Sequence, residues 1–146
     1  MKKKPKYLII ACILSIFVLL IGYFMLGAAI SLKENAMLLT KIQGMKMIVT
    51  SLKEYEEKSG KNPDCESMDE LIHVLKIDNN KLIKYLPDYS KITYDSKTND
   101  EKATILFWKS DVRTSIWPES FWEKYHYEMT YCRENGLLCA MRWESK

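Results

Sequence analysis

The sequence predicts an α+β fold in which one long N-terminal helix, half transmembrane and half amphipathic, packs on a small antiparallel sheet. Three observations carry that prediction. Residues 7–32 form an apolar run without a single charged residue. Apolar residues then recur at helical spacing as far as residue 59, with no proline to stop the helix. Beyond residue 90, short alternating segments separated by polar turns read as strands.

The apolar run is the first element. As a helix its 26 residues would span ~39 Å, more than the ~30 Å hydrocarbon core of a bilayer. Lys2, Lys3, Lys4 and Lys6 precede it, and no acid precedes Glu34. Lys-rich flanks stay on the cytoplasmic side, so residues 1–6 read as a cytoplasmic tail and residues 33–146 as an outward-facing domain. A cleavable signal peptide shares this charge pattern, and Gly27-Ala28-Ala29 would offer it a cleavage site ahead of Ile30. Apolar cores of signal peptides are shorter, about 7–15 residues, so an uncleaved anchor is the preferred reading. Only four apolar residues separate Lys6 from the Ala11-Cys12 pair, too few for a lipoprotein leader, so Cys12 reads as an inert membrane residue.

The four leading lysines account for the net charge of +3. Removing them from 22 basic residues leaves 18 against 19 acidic ones, so the domain is nearly neutral. It carries no electrostatic footprint for nucleic acid. Its 114 residues suffice for one core, and for ~60–70% burial of the unfolded chain's surface.

Leu38, Ile42, Met45, Val49 and Leu52 fall at steps of four, three, four and three, flanked by Ile48 and Tyr55. This is one apolar helix face. Gly44 interrupts it at a cost of ~1 kcal/mol relative to Ala. Gly60 ends the helix as a left-handed cap, and Pro63 follows. Ser67-Met68-Asp69-Glu70 fits a capping box that opens a short helix. Asn80 is expected to cap a further turn over residues 81–86, closed by Pro87. Strands are expected at 91–95 and 102–109, around the polar turn 96–101, and at 125–133 and 137–143, around Asn135-Gly136. Pro118 is placed to open a short helix through Lys124.

With Asn135-Gly136 as a two-residue turn, Cys132 faces Cys139 at a Cα separation of ~4.5–5.5 Å, within disulfide reach. The outward topology supplies an oxidising compartment. A Cys132–Cys139 bridge is therefore expected, with Cys65 left over, either free or competing for one of the two.

Catalytic chemistry finds little support. His73 and His126 lack partners at zinc-ligand spacing, and the cysteines form no CxxC. There is no GxSxG and no glycine-rich phosphate loop. Asp95, Asn99, Asp100 and Glu101 gather oxygen atoms in one turn, but a solvated turn explains them better than calcium. No catalytic residue, metal or cofactor is expected. Aromatic residues are dense from Phe107 to Tyr131. In a small domain such residues are mostly core; the alternative is a contact face on Trp108, Trp117, Trp122 and Tyr125.

The helix exit carries a resemblance. Leu52-x-x-Tyr55-x-x-x-x-Gly60-x-x-Pro63, followed by the helix from Ser67 to Leu75, resembles type II secretion major pseudopilins and type IV pilin-like proteins. In that family a membrane-embedded helix continues into an outer domain, followed by a Gly-x-Tyr-Pro loop, a short helix and an antiparallel sheet. Asn62 stands where the family's Tyr is usual, and Leu86-Pro87-Asp88-Tyr89 and the following hairpin sit where the family has its Leu-Pro-x-Asp segment and first strands. The 132–139 hairpin is weakly similar to the disulfide-closed end of type IV pilins. The family's cleavage-point Gly and the Glu of its apolar run are absent around Lys6-Tyr7-Leu8-Ile9-Ile10-Ala11, as is the Gly/Asp pattern of its calcium loop. The resemblance thus implies a pilin-like domain on an uncleaved anchor in a bacterial inner membrane, with the N-terminus cytoplasmic. It implies a non-enzymatic structural or accessory role in a secretion or pilus-like envelope system. Partners would be the lipid bilayer and other envelope proteins, or further copies through the N-terminal helix. A membrane-tethered binding or sensor module using the aromatic face is the alternative.

Overall fold

A computed structural model describes residues 4–112 and 124–144. The described residues form a helix α1 (Lys4–Ser59), two short α-helices α2 (Met68–Val74) and α3 (Asn79–Tyr85), a 3-10 turn (Tyr89–Lys91), and four strands. The strands are β1 (Thr93–Tyr94), β2 (Leu106–Val112), β3 (Lys124–Cys132) and β4 (Gly136–Glu144). They pair antiparallel in the order β1-β2-β3-β4, a meander packed on the second half of α1. The α+β class and the single long helix are as expected.

The two halves of α1 differ in what surrounds them. Ile13, Phe17, Leu20, Phe24 and Leu26 are all at least half exposed. No residue of the most apolar window is buried, and by length and composition α1 is able to cross a membrane. In the second half Met45, Ile48 and Leu52 are fully buried and Val49 nearly so. Ile48, which the sequence pattern places at the flank, lies at the centre of the buried face, whereas Leu38 and Ile42 are half-buried. Burying each such side chain is worth ~1.5–3 kcal/mol, so this face holds the domain to its spine.

The rest of the core comes from α2, α3, β2, β3 and the residues beside β1. Leu71 and Ile72 of α2, Leu82 of α3, Ile92 and Ile105 flanking β1 and β2, Leu106 and Trp108 of β2, and Met129 and Tyr131 of β3 close over α1. The cross-strand pairs Leu106↔Tyr131 and Trp108↔Met129 put these four on one face of the sheet.

The caps explain the short helices. The Ser67 side chain accepts from the Glu70 amide at 3.2 Å, as the capping box requires. The Glu70 carboxylate reaches one residue further back than expected and accepts from the Glu66 amide at 2.9 Å. α3 starts earlier than expected: Asp78, not Asn80, is its cap, accepting from the amides of Asn80 and Lys81. A carboxylate accepts without a competing donor, which suits Asp78 to both amides.

The β3–β4 hairpin departs from the sequence expectation. Cys132 pairs with Gly136 and Cys139 with Met129, a register three residues away from a two-residue turn. The reason is local. A type I′ turn needs positive φ at both central residues. Gly136 has φ 69°, but Asn135 does not have positive φ. The loop is instead the three residues 133–135, with Gly136 in the left-handed position that follows a type I turn.

Candidate functional site

The helix exit is built as the sequence suggests. Leu52 is fully buried, and Tyr55 is half-buried beside it on the same face. Gly60 has φ 73° and donates its amide to the Glu56 carbonyl at 2.8 Å, closing the last turn of α1. Pro63 is buried, and its carbonyl accepts from the Tyr94 hydroxyl at 2.6 Å. Asn62 is also buried, and its side chain donates to the Thr98 carbonyl at 3.4 Å. The chain leaving the helix is thus fastened to β1 and to the loop after it. Burial holds the Tyr94 hydroxyl well above the usual tyrosine pKa, and the negative charges of Cys65, Glu56 and Asp64 add to the effect.

Among the described residues, the ion pairs Arg133–Glu56 and Lys41–Asp88, neither visible in the sequence pattern, tie α1 to the remainder of the domain. Arg133, in the β3–β4 loop, contacts Glu56 at 3.1 Å and the Thr98 carbonyl at 3.4 Å. Thr98 therefore receives both Asn62 and Arg133, so the helix exit, the β1–β2 loop and the β3–β4 loop meet at one carbonyl. Lower on the helix, Lys41 bonds Asp88 at 3.1 Å, and its ammonium lies 4.8 Å from the centre of the Trp108 ring. The Lys41 and Asp88 side chains are each less than one-fifth exposed. Lys41 stands outside the four-three stripe, and no spacing in the sequence singles it out.

The expected aromatic contact face is not assembled by the described residues. Trp108 is 1% exposed and belongs to the core, because β2 turns it toward α1 beneath Lys41. That corrects its assignment to a surface. Trp117 and Trp122 lie outside the described residues, as does the helix expected from Pro118. Tyr125 falls in β3 opposite Trp143.

The expected Cys132–Cys139 disulfide is corrected by the hairpin register. All four cysteines are free thiols. Cys132 and Cys139 sit three register positions apart, ~10 Å along the strands, and on opposite faces, beyond the reach of a disulfide. Cys132 is buried and receives the Asn135 amide at its sulfur at 3.3 Å, while Cys139 is exposed on the edge strand. Cys65 is buried in the core, where desolvation first, then Glu70 and Asp64, raise its pKa.

An open groove of about 480 Å³ runs between α1 and the connection from α2 to α3. Gln43, Lys46, Met47, Thr50, Ile77 and Lys81 line it. Lys76, which precedes Ile77 in the connection, takes a left-handed φ of 55°. Among the described residues, no three His, Cys, Asp or Glu side chains are grouped to hold a metal ion. Comparison with protein-family models, with curated proteins and with solved structures finds no significant match to this chain.

Proposed function

We propose that the protein is a single-pass membrane component whose C-terminal domain is pilin-like. In this reading it serves as a non-enzymatic structural or accessory part of a secretion or pilus-like envelope assembly. The observation that carries the reading is the division of labour along α1. One continuous helix is exposed and apolar over its first half, while its second half is the core of an antiparallel meander. Such a helix couples position in a bilayer to position of the domain without a flexible joint. The exit through Tyr55, Gly60 and Pro63 supports the pilin-like assignment, because each serves a structural role there.

The anchor would lie in a bacterial inner membrane, with residues 1–6 cytoplasmic and residues 33–146 on the far side. Work would be done by lateral packing of the apolar half and by contacts of the domain with other envelope proteins. The missing Glu of the apolar run leaves lateral packing to shape and lipid rather than to a charge pair.

Cross-linking in intact membranes, followed by identification of the linked proteins, tests this role. Linkage to secretion or pilus-type components, or to further copies through residues 7–32, is expected. Recovery of the protein as a lone monomer carrying a bound sugar or peptide would overturn it in favour of a tethered binding module.

A further inference from the structure

The two edges of the meander differ. β1 is two residues long, and the Tyr94 hydroxyl fastens it to the Pro63 carbonyl of the helix exit. β4 is nine residues long and pairs with β3 one residue for one, from Lys124↔Glu144 to Cys132↔Gly136, without a bulge. Among the described residues, no backbone hydrogen bond outside that ladder involves residues 137–144. Alternate residues of an outermost strand turn their N–H and C=O groups away from the ladder. The outer side of β4 therefore presents a row of backbone donors and acceptors.

The devices that guard a free edge are missing from β4. Proteins blunt such edges with Pro, Lys, bulges or very short strands. Residues 136–143 contain no Pro and no Lys, and Arg142 is their one charged residue. Leu138, Cys139 and Ala140, in the middle of the strand, are all exposed. Leu138, Ala140 and Arg142 alternate along β4 and so share one face of the sheet, beside Thr130, Glu128 and His126 of β3. Arg142 bonds Glu128 at 2.6 Å, and its side chain is two-thirds exposed.

We propose that the outer edge of β4 is a docking site for an extended segment of a different protein, which adds antiparallel as a fifth strand. Main-chain hydrogen bonds supply the attraction, and the exposed side chains of β4 supply the selection. An apolar residue of the segment lies beside Leu138 and an acid beside Arg142. Because the strands run in opposite directions, the acid comes four residues before the apolar residue.

A second copy of the chain does not fit this edge. Leu106, Trp108, Met129 and Tyr131, on one face of the sheet, lie in the core with Met45, Ile48 and Leu52 of α1. The sheet is thus face-on to the helix, and its normal crosses α1. Antiparallel pairing of two β4 strands needs a two-fold axis along that normal. Copies anchored in one bilayer are related by rotation about the bilayer normal, along which α1 runs. The two axes are nearly perpendicular. This step rests on the reading of residues 7–32 as a membrane span, and it deepens the proposed role by naming the surface that meets a partner. β1 of a second copy, at two residues, is too short to serve.

The test titrates the full chain in detergent micelles with a labelled peptide as long as β4, Thr-Val-Glu-Val-Thr-Val-Leu-Val-Thr, read by fluorescence anisotropy. Two further peptides are N-methylated on one or the other alternate set of amides. The expected result is saturable binding that one methylated peptide loses and the other keeps, since one side of an added strand bonds the edge. Binding should slow hydrogen exchange in β4 and leave β1 unchanged. Replacing the peptide's Glu by Lys should weaken binding ~2–5-fold. Leu138→Lys should abolish binding while keeping the parent's unfolding midpoint. No saturable binding, or equal binding of both methylated peptides, overturns the inference. So does slowing of β4 exchange by higher protein concentration alone, which would make a second copy the occupant. Failure of the full chain to float with phosphatidylcholine vesicles overturns the membrane anchor instead, and the peptide result still decides the edge.

Discussion

A Cβ on Gly44 would lie 2.6 Å from the Leu86 Cβ and 3.2 Å from that of Tyr85. The C-terminal end of α3 therefore rests directly on the backbone of α1, and only glycine allows that approach. Helix propensity alone favours Gly44→Ala by ~1 kcal/mol. Overpacking a closed contact costs ~1–3 kcal/mol, and Leu86 is held by its own backbone and burial. The steric cost wins. Gly44→Ala is expected to lower the unfolding midpoint of the domain in detergent micelles. Gly22→Ala, with nothing within 4 Å, should leave it unchanged or raise it slightly. A stabilised Gly44→Ala variant would show that α3 does not pack as described.

Lys41 and Asp88 form the second tie at the same level of the helix. Both side chains are largely withdrawn from water, so removing one partner strands the other. Lys41→Met and Asp88→Asn should each destabilise by ~1–3 kcal/mol, with the double variant less destabilised than the sum. Chemical denaturation of the four proteins measures the coupling. Strict additivity would mean that the pair contributes nothing.

The hairpin register makes a prediction about thiols. Under non-reducing conditions, mass mapping should find no peptide joining Cys132 to Cys139. Among the three cysteines beyond the apolar run, alkylation of the folded protein should modify Cys139 first and spare Cys132 and Cys65, which are buried. Alkylation requires the thiolate, and the Cys65 pKa is raised. Any reaction at Cys65 should therefore set in only at a higher pH than for an unhindered thiol. A 132–139 linkage as the main species would contradict the three-residue loop.

Tyr94 gives the fold an alkaline limit. Its folded-state pKa is raised by burial and by nearby negative charge, so the neutral phenol is the form that folding favours. The contribution is complete below the unfolded value of about 10 and is lost as pH rises through the folded value. Ionisation also removes the donor that the Pro63 carbonyl accepts. Unfolding above about pH 10 should therefore be steeper for the parent than for Tyr94→Phe, which should be less stable by ~1–2 kcal/mol at neutral pH. Identical alkaline profiles for the two would exclude Tyr94 as the source.

Much of this architecture was legible because it depends on local pattern. The apolar run, the four-three spacing of the second half of α1 and the Gly60–Pro63 stop each specify structure within a few residues. The Ser67 cap was readable for the same reason. The missed features depend on what comes together across the chain. Asn135-Gly136 is compatible with two loop geometries, and only the backbone at Asn135 decides between them. Trp108 could have served surface or core until the pairing with Met129 fixed its face. By propensity Gly44 is a defect in a helix, and only the approach of Leu86 accounts for it. Lys41 lies off the apolar stripe, and nothing in the spacing announces Asp88 or the Trp108 ring. In the candidate site, the helix-exit residues were identifiable and the ion pairs that fasten them were not.

The central claim is that α1 remains one piece, anchoring the domain from within a bilayer. N-terminal sequencing and intact mass of the mature protein from the membrane fraction test it most directly. The expected result is a membrane-bound chain that still carries Lys6 ahead of Tyr7 and the whole of residues 7–59. A chain starting at Tyr7 with a methylated amine would contradict the uncleaved anchor, and one starting at Ile30 in the soluble fraction would contradict the anchor altogether.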